Sequence, residues 1–117
     1  MPLDEQRYVA DLPLRWQLPV LLVVGLRLGC LNHALLTTES IERRGLRLQG
    51  WIANGIDERF ERRQDNVDTL RRRIGAPCLG VVPYMPTASL AQIASHLDLA
   101  AISSINDLPY YCAPAAT

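Results

Sequence analysis

Nine residues, LPVLLVVGL at Leu18 to Leu26, constrain the fold more than any other part of this chain. Apolar side chains follow one another there without alternation, so neither side of a strand built from them can face water. Such runs belong to strands covered on both faces, as in a parallel sheet flanked by helices. Pro19 fits only at the first residues of that strand, where no ladder hydrogen bond is asked of it. The run meets Arg27 far short of the ~20 residues that cross a bilayer, which excludes a transmembrane helix here.

The pattern then alternates between helical and strand-like spacing. From Leu31, the positions Leu31, Ala34, Leu35, Thr38 and Ile41 share one helical face, Glu39 and Arg43 form an i,i+4 pair, and Gly45 supplies a C-terminal stop. A second strand is expected within Leu46 to Ile56, ending at the turn dipeptide Asn54-Gly55. Val67, Leu70 and Ile74 mark one face of a charged helix closed by Gly75 to Pro77. A third strand, Cys78 to Met85, is ended by Pro83 and Pro86, and Thr87 or Ser89 caps a last helix with the face Leu90, Ile93, Ala94 and Leu97.

Strand and helix thus recur three times in order, which gives an α/β class with a parallel sheet and right-handed crossovers. Residues 1–102 form this domain in the reading. Residues 103–117, with Pro109 and Pro114 and no sustained period, are expected to be an irregular tail. Ahead of the first strand Tyr8, Leu12 and Trp16 share a helical face that Pro13 limits. With 49% hydrophobic and 21% charged residues, the 117-residue chain can build one core.

Charge excludes two classes of partner. Twelve basic residues balance twelve acids, so no net field draws the chain to nucleic acid or to an anionic membrane. The arginines at 59, 62, 63, 71, 72 and 73 are interleaved with Asp57, Glu58, Glu61, Asp65 and Asp68, the pattern of a solvated helix face. All twelve basic residues are arginines, and there is no lysine. Cys30, Cys78 and Cys112 are odd in number and widely spaced, which suits reduced thiols and a cytoplasmic location rather than a disulfide framework. The N-terminal residues have early acids and lack the order of a secretory signal. With no CxxC and only His33 and His96, a structural zinc site is not expected.

Chemistry in an open parallel sheet gathers beyond the carboxyl ends of the strands. Three segments reach that edge: Arg27 to Asn32, Asn54 to Ile56, and Pro83 to Thr87. In the first, Gly25 and Gly29 allow close backbone approach, and the amides of Gly29 to Asn32 open a helix whose dipole favours an anion; an ordinary strand-to-helix turn has the same spacing. Cys30 reads as a packing residue and His33 as a structural or interface residue, since no carboxylate partner lies near it in sequence. Asn54 could read a nucleobase edge with its amide or simply start a turn.

The segments LPVLLVVGLRLGCLNHALLT, GLRLQGWIAN and APCLGVVPYM, in this order and at these intervals, resemble the C-terminal half of dethiobiotin synthetase over about Pro2 to Ile102. The resemblance implies part of a P-loop, three-layer α/β/α fold and an ATP- and Mg²⁺-dependent homodimeric ligase of biotin synthesis. That family makes the ureido ring of dethiobiotin from 7,8-diaminononanoate and CO2: a carbamate forms, ATP phosphorylates it, and the second amine closes the ring. Carried over by motif, Gly29, Cys30, Leu31 and Asn32 hold the substrate carboxylate across the dimer interface. Asn54 and Gly55 meet the adenine, and Pro83, Tyr84, Met85, Pro86 and Thr87 line the nucleotide pocket.

The family's P-loop, with its lysine and threonine, and its EGAGG segment, whose glutamate binds magnesium, have no counterpart in this sequence. No catalytic or metal-binding residue can therefore be assigned, and the chain is expected to be inactive alone, pairing with itself or with a complementing N-terminal half as in a split enzyme. The alternative is a non-catalytic binding or interaction module. Asn66 stands where family members often carry a tyrosine near the carboxylate, and Arg27 keeps a basic position of the motif.

Overall fold

A computed structural model describes residues 1–102; the expected irregular tail lies outside the described residues. The apolar run forms the first strand, β1 (Val20–Leu26), with Pro19 just before it as its missing N–H requires. The elements after it are α2 (Cys30–Arg43), β2 (Leu48–Gly55), α3 (Arg63–Arg73), β3 (Cys78–Val82) and α4 (Leu90–Ala94), and α1 (Asp11–Trp16) precedes it. β1, β2 and β3 pair in parallel, in that order. Three parallel strands with flanking helices bear out the α/β class read from the sequence.

The core lies where α2 and α3 meet one face of this sheet. Val24 and Leu26 of β1, Trp51 and Ala53 of β2, Cys30 and Ala34 of α2, and Val67 and Leu70 of α3 pack into one cluster. These are the residues at strand period two and helical period 3.6 on the inward faces. On α2 the buried positions are Cys30, Ala34, Thr38 and Ile41, and the Thr38 hydroxyl donates to the Ala34 carbonyl at 2.9 Å instead of being stranded. The Arg43–Glu39 pair on the outer face is 2.7 Å long.

Strand period places Leu21 and Val23 on the opposite side of β1 from Val24, and there they are exposed, Val23 by 58%. The two sheet margins differ. Beyond β3, Leu97 forms an antiparallel bridge with Gly80, and the Asp98 N–H donates to the Leu79 carbonyl at 2.7 Å, so the chain returns along that margin. Among the described residues β1 has no strand on its outer side.

Two expected elements are corrected. The last helix is a single short turn: Ser89 caps it in a capping box with Gln92, but Leu90 is 87% exposed, and Ile93 is only half-buried. The expected Leu90, Ile93, Ala94, Leu97 face does not form, because the chain leaves the helix after Ala94 to reach β3. The expected third strand through Met85 stops at Val82, before Pro83. Tyr8 lies outside α1, in a bridge with Pro2, and its ring sits under the Arg44 guanidinium at 5.3 Å. Arg44 also donates to Asp11 at 2.9 Å, tying α1 to the end of α2.

Candidate functional site

The register of the sheet sets Gly25, Asn54 and Val82 side by side, so all three segments singled out in the sequence leave the sheet at one level. Each therefore opens onto the same carboxyl edge, the place where parallel sheets bind ligands.

At the first, Gly29 is the N-cap of α2 with φ 87°. A side-chain carbon there would meet nothing within 4 Å, so within the chain this glycine is needed for its left-handed backbone and not for packing. No side chain caps the helix. The Cys30 N–H donates to the Arg27 carbonyl at 3.0 Å, which leaves the first-turn amides of Leu31 and Asn32 without a backbone acceptor. Asn32 is exposed and Leu31 half-buried.

Cys30 itself is 3% exposed and belongs to the core, in agreement with its reading as a packing residue. Asn66 of α3 donates to its sulfur at 3.5 Å, so α3 reaches the start of α2 there. His33 is exposed one turn into the helix.

At the second and third segments, close packing brings β2 and the loop after β3 together. A side-chain carbon on Gly55 would lie 2.7 Å from the Tyr84 nitrogen, 2.9 Å from the Val82 oxygen and 3.0 Å from the Pro83 carbonyl carbon. Asn54 is half-buried beside it, and its carboxamide has no hydrogen-bond partner among the described residues. Pro83 and Tyr84 are exposed at the edge. Met85, Pro86 and Thr87 continue into a turn closed by the Ala88 N–H on the Met85 carbonyl at 3.2 Å.

Two cavities open at this edge. One, of about 330 Å³, runs between β1 and α2 and is lined by Val23, Gly25, Arg27, Cys30, His33 and Ile56, among others. The other, of about 470 Å³, lies over the strand ends and is lined by Arg27, Ile56, Asp57, Glu58, Arg59 and Tyr84. Of the site residues carried over from the family, Cys30 and Tyr84 each line one cavity, whereas Gly29, Leu31, Asn32, Asn54, Gly55, Pro83, Met85, Pro86 and Thr87 line neither. Ile56 and Arg27 border both, a position that spacing in the sequence did not reveal because it depends on strand register.

Magnesium and ATP fare differently against this set. Among the described residues no three His, Cys, Asp or Glu side chains converge on a point, and Asp57 is engaged by the Arg59 N–H at 2.9 Å. These donors do not fit a magnesium site. The half-buried Asn54 amide at the end of β2 and the exposed Tyr84 after β3 are groups of the kind a purine engages, through donors and acceptors in a plane and a face for stacking.

Comparison with known proteins finds relatives that share most of this chain. Over 99 residues the chain is 54% identical to the ATP-dependent dethiobiotin synthetase BioD of Aromatoleum aromaticum, covering 85% of this chain and 44% of that protein. The ATP-dependent dethiobiotin synthetases BioD of Ralstonia nicotianae and Cellvibrio japonicus are 53% and 50% identical, over 86% and 85% of this chain and 44% and 43% of theirs. The resemblance read from the sequence is thus shown, and the chain spans less than half the length of these curated relatives. A family model described as AAA domain matches residues 1–92. The chain belongs to the AAA domain family.

Proposed function

We propose that this chain supplies the substrate-anchoring and base-binding parts of a dethiobiotin synthetase site. The observation that carries the reading is the shared level of Gly25, Asn54 and Val82 in a chain 54% identical to such an enzyme. It supports a reading in which the start of α2 and the ends of β2 and β3 serve one site on the same edge of the sheet.

In this reading the Leu31 and Asn32 amides, with Gly29 and Cys30 shaping the turn, hold the carboxylate of 7,8-diaminononanoate. Asn54 and Gly55 face the adenine of ATP, and Pro83 and Tyr84 wall it in, with Met85, Pro86 and Thr87 closing the loop behind them. ATP supplies the phosphoryl group that activates the carbamate for ring closure. Positioning and charge neutralisation supply most of the catalysis in phosphoryl transfer, and a chain without lysine has no ammonium group to contribute. The phosphate-binding lysine and the magnesium ligands of such a site therefore come from other sequence, and this chain binds without turning over.

The exposed outer side of β1 supports assembly with a second copy or a complementing segment, in a cytoplasmic enzyme. The absence of lysine favours, as the second reading, a binding module without catalysis. Titration of the purified chain with ATP and with 7,8-diaminononanoate, alongside an assay for dethiobiotin, tests both. Binding without product is expected. Binding to neither ligand overturns the half-site, and product from the chain alone overturns its dependence on other sequence.

A further inference from the structure

Arg27 borders both cavities, yet no role in the half-site has been given to it. It follows the buried Leu26 at the end of β1 and lines the β1–α2 groove together with Gly25, Cys30 and His33. It also lines the crevice over the strand ends, together with Asp57, Glu58, Arg59 and Tyr84. Ile56 shares this saddle. A side-chain carbon on Gly25 would lie 2.7 Å from Ile56 Cδ1, so the glycine lets Ile56 lie against β1, where it lines the same two cavities as Arg27.

The electrostatics single out Arg27 from its neighbour. Arg59, 94% exposed, has its Nε 3.9 Å from Asp57, and the same carboxylate oxygen accepts the Arg59 N–H at 2.9 Å. The charge of Asp57 is thus turned toward Arg59. Arg27 forms no ion pair with any described residue, and the sequence holds no lysine that could serve in its place. An uncompensated guanidinium offers a fork of donors suited to two oxygens of one oxyanion.

We infer that Arg27 binds a phosphate oxyanion of the nucleotide at the junction of the two cavities, an inference that rests on the half-site reading above. A ligand reaching from Tyr84 toward the start of α2 has to pass this residue. The guanidinium then supplies, from this chain, part of the positive charge that polyphosphate requires.

The test is titration of the 117-residue chain with inorganic pyrophosphate and, separately, with adenosine, followed by amide chemical shifts. Wild type is compared with Arg27→Gln, Arg27→Lys and Arg59→Gln, at fixed low ionic strength. Loss of a charge-assisted contact predicts pyrophosphate binding about tenfold weaker in Arg27→Gln, partly restored in Arg27→Lys and changed less than about twofold in Arg59→Gln. Adenosine binding stays unchanged in all three. The inference falls if wild type does not bind pyrophosphate, if Arg27→Gln binds it as wild type does, or if Arg59→Gln loses as much. If adenosine fails to bind while pyrophosphate still responds to Arg27, the base-binding reading falls and the role of Arg27 stands.

Discussion

A side-chain carbon placed on Gly55 would lie 2.7 Å from the backbone nitrogen of Tyr84, so the end of β2 and the loop after β3 meet across a missing methyl group. Backbone atoms flank the position on all sides given, and none can swing away as a flexible side chain would. Gly55→Ala is therefore expected to displace the Val82–Tyr84 segment and to destabilise the fold by about 1–3 kcal/mol. Denaturant unfolding measures the loss, and any ATP binding should weaken with it. An unchanged midpoint would show that the loop is not held against β2.

At Gly29 the constraint is the backbone and not the space. With φ 87° and nothing within 4 Å of a side-chain carbon, alanine costs only the left-handed conformation, about 1–2 kcal/mol. Asparagine, which tolerates that region better, should cost less. The order Gly, Asn, Ala in thermal stability checks this, and equal losses for both variants would mean a steric origin.

How far these features could be read in the sequence depends on whether they are local. β1, α2 and α3 follow from unbroken or periodic apolar residues, and Val67 and Leu70 are buried as their spacing requires. Leu90 misleads, since its helical spacing is intact but the return of Leu97 to Gly80 ends the helix before a face can form. At Gly29 the sequence alone does not distinguish a glycine needed for space from one needed for φ. Gly25 and Gly55 do serve close approach, but their neighbours Ile56 and Tyr84 are defined by strand register, which spacing alone does not give. The saddle of Arg27 and Ile56 escapes for the same reason.

Arg43 and Arg44 are adjacent in sequence and unequal in environment. Arg43 pairs with Glu39 at 2.7 Å on an open helix face, its side chain 78% exposed. Arg44, 32% exposed, joins Asp11 at 2.9 Å and covers the Tyr8 ring at 5.3 Å, linking segments far apart in sequence. Exposed pairs contribute little and a cation over an aromatic face adds to a partly buried one. Arg44→Ala should cost about 1–2 kcal/mol and Arg43→Ala no more than about 0.5 kcal/mol. Chemical denaturation of the two variants compares them, and added salt should shrink the smaller effect first.

The final prediction concerns the outer side of β1. Leu21 and Val23 are 43% and 58% exposed on a strand whose neighbours in sequence are apolar, and no strand pairs beyond it among the described residues. β3, by contrast, is met along its own margin by Leu97. An unpaired strand margin beside an uncovered apolar face favours association with another chain. The chain is accordingly expected to associate as its concentration rises, and Val23→Lys, which puts a charge on the exposed side without touching the α2–α3 core, should shift it toward monomer. Light scattering across a dilution series measures both. Two outcomes would count against the edge as the contact: a wild-type chain that stays monomeric, or a Val23→Lys variant that associates equally well. In the second case the exposed Trp16 and Leu14 of α1 become the next surface to change.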